Sequence, residues 1–142
     1  MQLTNEQISA VVFLLRVILG VVFFAHGAQK VLGWFGGYGL AGTTGFMKSA
    51  LRIPLPLAYA ASFTEFLGSI AVTLGFLTRI AAAGIFVTML VAIIKVHIPS
   101  GFLNSEGNKG SGIEYPLTLA VLALGLMITG GGTYSIDAML GL

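Results

Sequence analysis

Four long apolar segments constrain what this 142-residue chain can fold into. They cover approximately residues 8–28, 57–77, 80–97 and 113–129. A helix that crosses the hydrocarbon core of a bilayer needs about 20 mostly apolar residues. Only 8% of the residues are charged, whereas a typical soluble domain has about 25%. The pattern therefore predicts an all-α fold, a membrane-embedded four-helix bundle that forms a single domain over residues 1–142 and contacts the lipid bilayer.

The composition also excludes several kinds of site and partner. The chain contains no cysteine, which rules out disulfides, thiolate metal sites and thiol–quinone exchange, and no metal site is predicted. The net charge is only +2, so nothing indicates a nucleic-acid partner. We expect no cleaved signal peptide, because Arg16 interrupts the first apolar segment and no A-x-A-like site follows it.

Polar residues mark the ends of two predicted helices. Thr4 and Gln7 have the T-x-x-Q spacing of a capping box, which predicts the start of the first helix. Ser111 and Glu114 have the equivalent S-x-x-E spacing before the fourth. Only two residues separate the second and third apolar segments, so these helices should form a tight antiparallel hairpin. Helices three and four are predicted to be short for a span.

The connection between the first two helices is far longer than a turn requires. It contains three aromatic residues among five glycines, namely Trp34, Phe35 and Tyr38 with glycines 33, 36, 37, 39 and 42. Residues 43–53 then place Phe46, Ala50 and Ile53 on one helical face. This pattern is typical of an aromatic, Gly-rich interfacial linker followed by a short amphipathic helix.

The distribution of positive charge predicts an orientation. Four spans would place both termini on one side of the membrane and the two long connections on the other. The long-connection side carries five basic residues, Lys30, Lys48, Arg52, Lys95 and Lys109, whereas the opposite side carries Arg79. The positive-inside rule then predicts cytoplasmic connections and external termini.

Three ionisable residues, Arg16, His26 and Glu65, fall inside the predicted spans. Such a residue costs roughly 2.5–3.5 kcal/mol on insertion scales and usually faces the bundle interior. Glu65 shares a helical face with small residues, which favours close packing against a neighbouring helix. Arg16 and Glu65 could form a buried ion pair that fixes helix register. Alternatively, polar groups near one membrane surface could line a pocket, with the candidates His26, Gln29, Lys30, Trp34, Glu65 and His97. A structural hydrogen bond from His26 is a further alternative.

The run H-G-A-Q-K-V-L-G-W-F-G-G at residues 26–37 resembles the signature of the DoxX family. The resemblance extends over approximately residues 14–137, through Glu65 and His97 to Ser135-Ile136-Asp137. It implies a small multi-pass protein of the bacterial inner membrane with about four helices. The family takes its name from a subunit of a thiosulfate:quinone oxidoreductase. The resemblance therefore implies a small subunit or anchor of a quinone-linked or oxidative-stress complex, with a membrane or membrane-associated protein partner.

Three classes of function remain open from the sequence, and none comes with an assigned catalytic residue. In a redox subunit, His26 or Glu65 would exchange protons with a quinone oxygen. In a haem protein, His26 and His97 would be the axial ligands. In a structural or assembly subunit without a cofactor, the buried charges would only specify packing.

Overall fold

The computed structural model describes residues 3–103 and 111–142, and these residues form helices joined by turns and loops, without a strand. The α-helices are α1 (Asn5–Val31), α2 (Gly39–Ser49), α3 (Leu55–Leu74), α4 (Thr78–Ala92), α5 (Glu114–Thr129) and α6 (Ile136–Leu140). Helix α4 continues through a π-helical turn, Ile93–His97, and a 3₁₀ turn, Ile98–Ser100. The predicted all-α fold is confirmed.

The core lies where the four longer helices meet. Helix α1 packs along α3, α4 packs against both α3 and α5, and α5 returns to contact α1. Fully buried side chains such as Leu19, Phe23, Val72, Ile85 and Leu126 fill the space between them. Few apolar side chains lie in this core, and most of the large ones are exposed. This distribution is expected of a protein whose surface is covered by lipid.

In the part of the chain that the structure describes, three helices are long and apolar enough to cross a membrane: α1, α3 and α4 with its two terminal turns. The third therefore spans 23 residues and is longer than predicted, because π and 3₁₀ turns carry the helix past His97 to Ser100. Helix α5 is apolar but has only 16 residues. The chain is thus a membrane protein with three or four apolar spans, and the crossing by α5 stays a prediction.

Local chemistry explains where the helices begin and end. The Thr4–Gln7 capping box forms as predicted and starts α1. Helix α3 ends at Leu74, before the predicted residue 77, because Gly75 adopts a left-handed C-cap conformation. The predicted S-x-x-E cap of α5 is wrong, since Ile113 is the N-cap residue and its side chain makes no capping hydrogen bond. Residues 104–110, which include Lys109, lie outside the described part of the chain.

The short helix between α1 and α3 begins earlier than the amphipathic pattern predicts. Helix α2 starts at Gly39 and buries Thr43 and Thr44 against the bundle, where it contacts both α1 and α3. Phe46, predicted to lie on the apolar face of this helix, is exposed. The predicted short helix is therefore present with threonines as its buried face, and its location at the membrane interface stays a prediction.

Helix α6 is an element that the hydropathy pattern does not predict. Ser135 is its N-cap, and the Ser135 side chain accepts a hydrogen bond from the Ala138 amide. The backbone amide of Asp137 donates to the carbonyl of Gly75. The C-terminal segment is thereby attached to the turn between α3 and α4.

Candidate functional site

Among the described residues, two clusters of polar side chains, each containing a buried charged group, lie at different levels of the bundle. The connection-end cluster comprises Lys30, Glu65 and His26, near the long connections. The terminal-end cluster comprises Arg16, Thr78 and Asp137, near the chain termini. At 1.5 Å per residue, Lys30 lies about 21 Å farther along α1 than Arg16, so the two clusters are separate.

An ion pair between α1 and α3 forms the centre of the connection-end cluster. The Lys30 ammonium donates to the Glu65 carboxylate. The Glu65 side chain is only 4% exposed, while that of Lys30 is 26% exposed. A glycine one turn before Lys30 makes this approach possible, since a Cβ atom on Gly27 would lie 2.5 Å from the Cα atom of Phe66. The buried carboxylate therefore has a counter-charge that still reaches the surface.

The predicted ion pair between Arg16 and Glu65 is wrong. The Arg16 guanidinium instead donates to the carbonyl oxygens of Gly131, at 2.9 Å, and Tyr134, at 2.6 Å. Lys30 is at the same level of the bundle as Glu65, so the shorter side-to-side contact forms, whereas Arg16 would have to reach along the helix axis.

His26 lies on α1 beside a groove that is lined by residues of α5 and the segment before it. It is one helical turn before Lys30, so the two side chains project from the same side of α1. The half-buried His26 ring packs against the Tyr115 ring at 6.3 Å between centroids. Tyr115 in turn lines the groove together with Ser111, Glu114 and Thr118. His26 thus contacts the groove through Tyr115 and lies on the same side of α1 as Lys30.

The other predicted pocket residues have different surroundings. The Gln29 side-chain amide donates to the carbonyl of Phe35 at 3.2 Å, which holds the glycine-rich turn. Trp34 is exposed and meets the Phe35 ring edge to face. The Nδ1 atom of His97 hydrogen bonds with the Ser111 carbonyl at 2.8 Å. The structure therefore brings Lys30 and Glu65 into contact. His26 contacts Tyr115, and Gln29, Trp34 and His97 contact other groups.

Two members of the terminal-end cluster, Thr78 and Asp137, lie outside the predicted spans. Both oxygens of the Asp137 carboxylate accept backbone hydrogen bonds, Oδ1 from Leu77 at 2.6 Å and Oδ2 from Thr78 at 2.9 Å. Burial acts to raise the pKa of this carboxyl group. The contacts with Thr78 and Leu77 and the charge of Arg16 outweigh that effect, so the Asp137 pKa lies below its ordinary value. Asp137 therefore caps the positive end of α4 as a carboxylate.

Two glycines allow the terminal-end cluster to close. Gly75 has a φ of 70°, and a Cβ atom there would lie 1.9 Å from the Nη1 atom of Arg16. At Gly131 the added atom would lie 2.7 Å from the Ser135 side chain. Ser135 followed by an acidic residue in the first turn is a helix-start pattern, and it is the local sequence signal for the C-terminal part of this cluster.

The chain is similar to known proteins over most of its length. A family model described as DoxX matches residues 11–98. The chain is 31% identical to "Putative oxidoreductase CatD" of Bacillus subtilis, over 94% of this chain and 89% of that protein. It is 33% identical to "Inner membrane protein YqjF" of Escherichia coli, over 91% of each chain. No solved structure matches it significantly.

Proposed function

Because the chain belongs to the DoxX family of membrane proteins, we propose that it is a small subunit or anchor of a membrane redox complex. The name of the Bacillus subtilis relative, which contains the word oxidoreductase, supports a redox role. The name of the Escherichia coli relative supports a location in a bacterial inner membrane. A membrane or membrane-associated protein would be the partner.

The observation that carries the proposal is the ion pair of Lys30 and Glu65, one helical turn along α1 from His26. Charges inside a membrane protein commonly mark substrate or proton pathways. Here one partner of the pair is buried and the other is partly exposed, so protons could reach Glu65 by way of Lys30. Histidine is the side chain whose charge changes most readily near neutral pH.

Among small redox molecules, a quinone best suits the groove at the connection end. The groove beside His26 has a phenol ring, hydroxyls and a carboxyl group along its wall. These hydrogen-bonding groups suit a polar aromatic headgroup at the level of the membrane surface. A bound quinone would supply the electron-transfer chemistry. His26 and Tyr115 would contact its headgroup, and Glu65 and Lys30 would hold or release the accompanying protons.

Co-purification tests this proposal. The protein is isolated in a mild detergent, and the accompanying proteins and extracted quinone are identified. We expect a redox protein to co-purify, and we expect His26→Gln to lower the quinone content several-fold. His97→Gln is the comparison variant. It removes the other histidine, which contacts the groove only through the Ser111 carbonyl, so it should lower the quinone content less than His26→Gln does.

Two other results would favour the alternative functions. Normal quinone content and normal partner content in His26→Gln and Glu65→Gln would leave a structural or assembly subunit as the better description. A haem absorption spectrum from the purified protein, lost in both histidine variants, would instead identify a haem protein with His26 and His97 as ligands.

The membrane orientation belongs to the same proposal. The excess of basic residues at the long connections supports a cytoplasmic location for that end. A reporter fused after Leu142 should then be active outside the cytoplasm, whereas one inserted near Asn108, outside the described residues, should be active inside. The reverse pattern would contradict this orientation.

A further inference from the structure

The segment between α1 and α3 carries positive charge that the protein itself leaves unneutralised. Lys48, at the end of α2, and Arg52, in the following loop, are both exposed. Neither side chain forms a hydrogen bond or an ion pair with the described residues. The sequence contains no acidic residue between Glu6 and Glu65. The segment is therefore a cationic surface without an acidic neighbour in its own sequence.

The backbone of this segment is strained at two positions whose side chains are exposed. Phe35 and Arg52 have positive φ angles of 52° and 54°, a conformation that favours glycine. Nearby turn positions with positive φ, such as Gly33 and Gly36, do carry glycine. Backbone strain of this kind clusters at functional sites. At both strained positions, the residue present has a large exposed side chain suited to contacts outside the chain.

The aromatic residues of the segment indicate what lies against it. Four aromatic side chains are exposed over residues 34–46, namely Trp34, Phe35, Tyr38 and Phe46, and Tyr38 is 86% exposed. Aromatic rings of this kind favour the headgroup level of a bilayer. The buried threonines of α2 hold the segment against α1 and α3, so its exposed side faces away from the bundle.

We propose that Lys48 and Arg52 bind the phosphate of an anionic phospholipid headgroup, while the exposed aromatic rings anchor the segment at the membrane surface. A guanidinium group can bind a phosphate through two parallel hydrogen bonds, and an ammonium group adds a point charge. Clusters of basic residues next to a membrane helix attract anionic lipids in this way. This inference does not depend on the proposed redox function, because it concerns a different surface.

Native mass spectrometry of the protein in mild detergent tests the lipid site. Phosphatidylglycerol and phosphatidylcholine with identical acyl chains are added in equal amounts, and the ratio of bound lipids is measured. The wild-type protein should prefer phosphatidylglycerol. Lys48→Gln and Arg52→Gln should each lower that preference about fivefold, the effect expected of one basic residue at an anionic surface.

Lys95→Gln is the matched control for general surface charge. Lys95 is an exposed lysine in the π-helical turn after α4, outside the α2 segment, so its replacement should leave the preference nearly unchanged. A loss as large as that in Lys48→Gln would overturn the proposal, because it would show attraction to net charge alone. Displacement of the lipid by glycerol phosphate at equal concentration would also overturn it in favour of a free phosphate site.

Arg52→Gly separates a lipid-binding role from a structural one. Glycine accepts the positive φ at this position without steric conflict, so the folded yield and thermal stability should be kept or raised. The preference for phosphatidylglycerol should nevertheless fall as far as in Arg52→Gln. An Arg52→Gly protein that keeps the full preference would contradict the assignment of Arg52.

Discussion

The two polar clusters neutralise buried charge by different means. In the terminal-end cluster, backbone groups take up the charge: carbonyl oxygens accept from Arg16, and backbone amides donate to Asp137. In the connection-end cluster, one side chain neutralises another, and Lys30 remains partly exposed. Backbone partners can be withdrawn only by disrupting the fold, whereas a side-chain partner can change its protonation or its contact without unfolding. We therefore expect the terminal-end cluster to have a structural role. The connection-end cluster can change its protonation or contacts while the protein stays folded, as a functional site requires.

The largest effect should follow Gly75→Ala in the terminal-end cluster. Alanine at a left-handed position is strained by roughly 1–2 kcal/mol, and the new methyl group would overlap Arg16, which adds about 1–3 kcal/mol of overpacking. We expect the free energy of unfolding in detergent to fall by about 2–5 kcal/mol.

Gly45→Ala is the control for this substitution. Gly45 lies within α2, and a Cβ atom there would meet nothing within 4 Å. The change should be neutral or stabilise by about 0.5–1 kcal/mol, as glycine replacement in a helix usually does. Equal stability of the two variants would show that the terminal-end cluster does not hold the fold together.

A smaller effect should come from the ion pair at the connection end, measured by a double-mutant cycle. Lys30→Met should destabilise by about 3 kcal/mol, because it leaves the buried Glu65 carboxylate without its partner. Glu65→Leu should cost less, because the remaining Lys30 side chain is partly exposed. The double variant should recover most of that loss, since it removes both charges. In the comparison cycle, Arg16→Leu and Glu65→Leu should be additive. Coupling of Glu65 to Arg16, and not to Lys30, would contradict the observed pairing.

Acid should weaken the terminal-end cluster through Asp137. Because its pKa is lowered in the folded protein, the carboxylate stabilises the fold at every pH above its unfolded pKa, about 3.9. That contribution is lost as the pH falls through the still lower folded pKa. Asp137→Asn should lower stability at neutral pH by about 1–2 kcal/mol, the usual range for a lost helix cap, and should flatten the acid limb of the stability curve. Glu6→Gln, an exposed control on α1, should leave the stability at neutral pH and its decrease in acid nearly unchanged.

The helical fold could be predicted from the sequence because it depends on local properties. Apolar segment length, the Thr4–Gln7 box and the scarcity of charge are each read along the chain, and each agrees with the structure. The predicted positions of the helix ends agree less well with the structure. The end of α3 depends on the left-handed conformation of Gly75, which the continuing hydropathy of the next two residues conceals.

The pairing of the buried charges could not be predicted because it depends on tertiary contacts. A helical wheel places Arg16 and Glu65 on packing faces, but it carries no information about the C-terminal segment. That segment supplies the Gly131 and Tyr134 carbonyls and so removes Arg16 from the reach of Glu65. Lys30, assigned to the pocket by its proximity to His26, is the partner of Glu65. The polar residues were found from their type and position, whereas their partners required the fold.

The smallest stability effect should be at His26, and it offers the most direct way to break the comparison between the clusters. His26 is half-buried, and its described contact is the ring of Tyr115, which is worth about 0.5–1.5 kcal/mol for a ring pair. We expect His26→Gln to change the free energy of unfolding by no more than about 1 kcal/mol, and Tyr115→Phe, which keeps the ring, by less. If the connection end is free to act, quinone or partner content should fall in His26→Gln while stability hardly changes. A loss of stability as large as that in Gly75→Ala would instead make His26 part of the structural framework, and the two ends of the molecule would then differ only in the chemistry of their contacts.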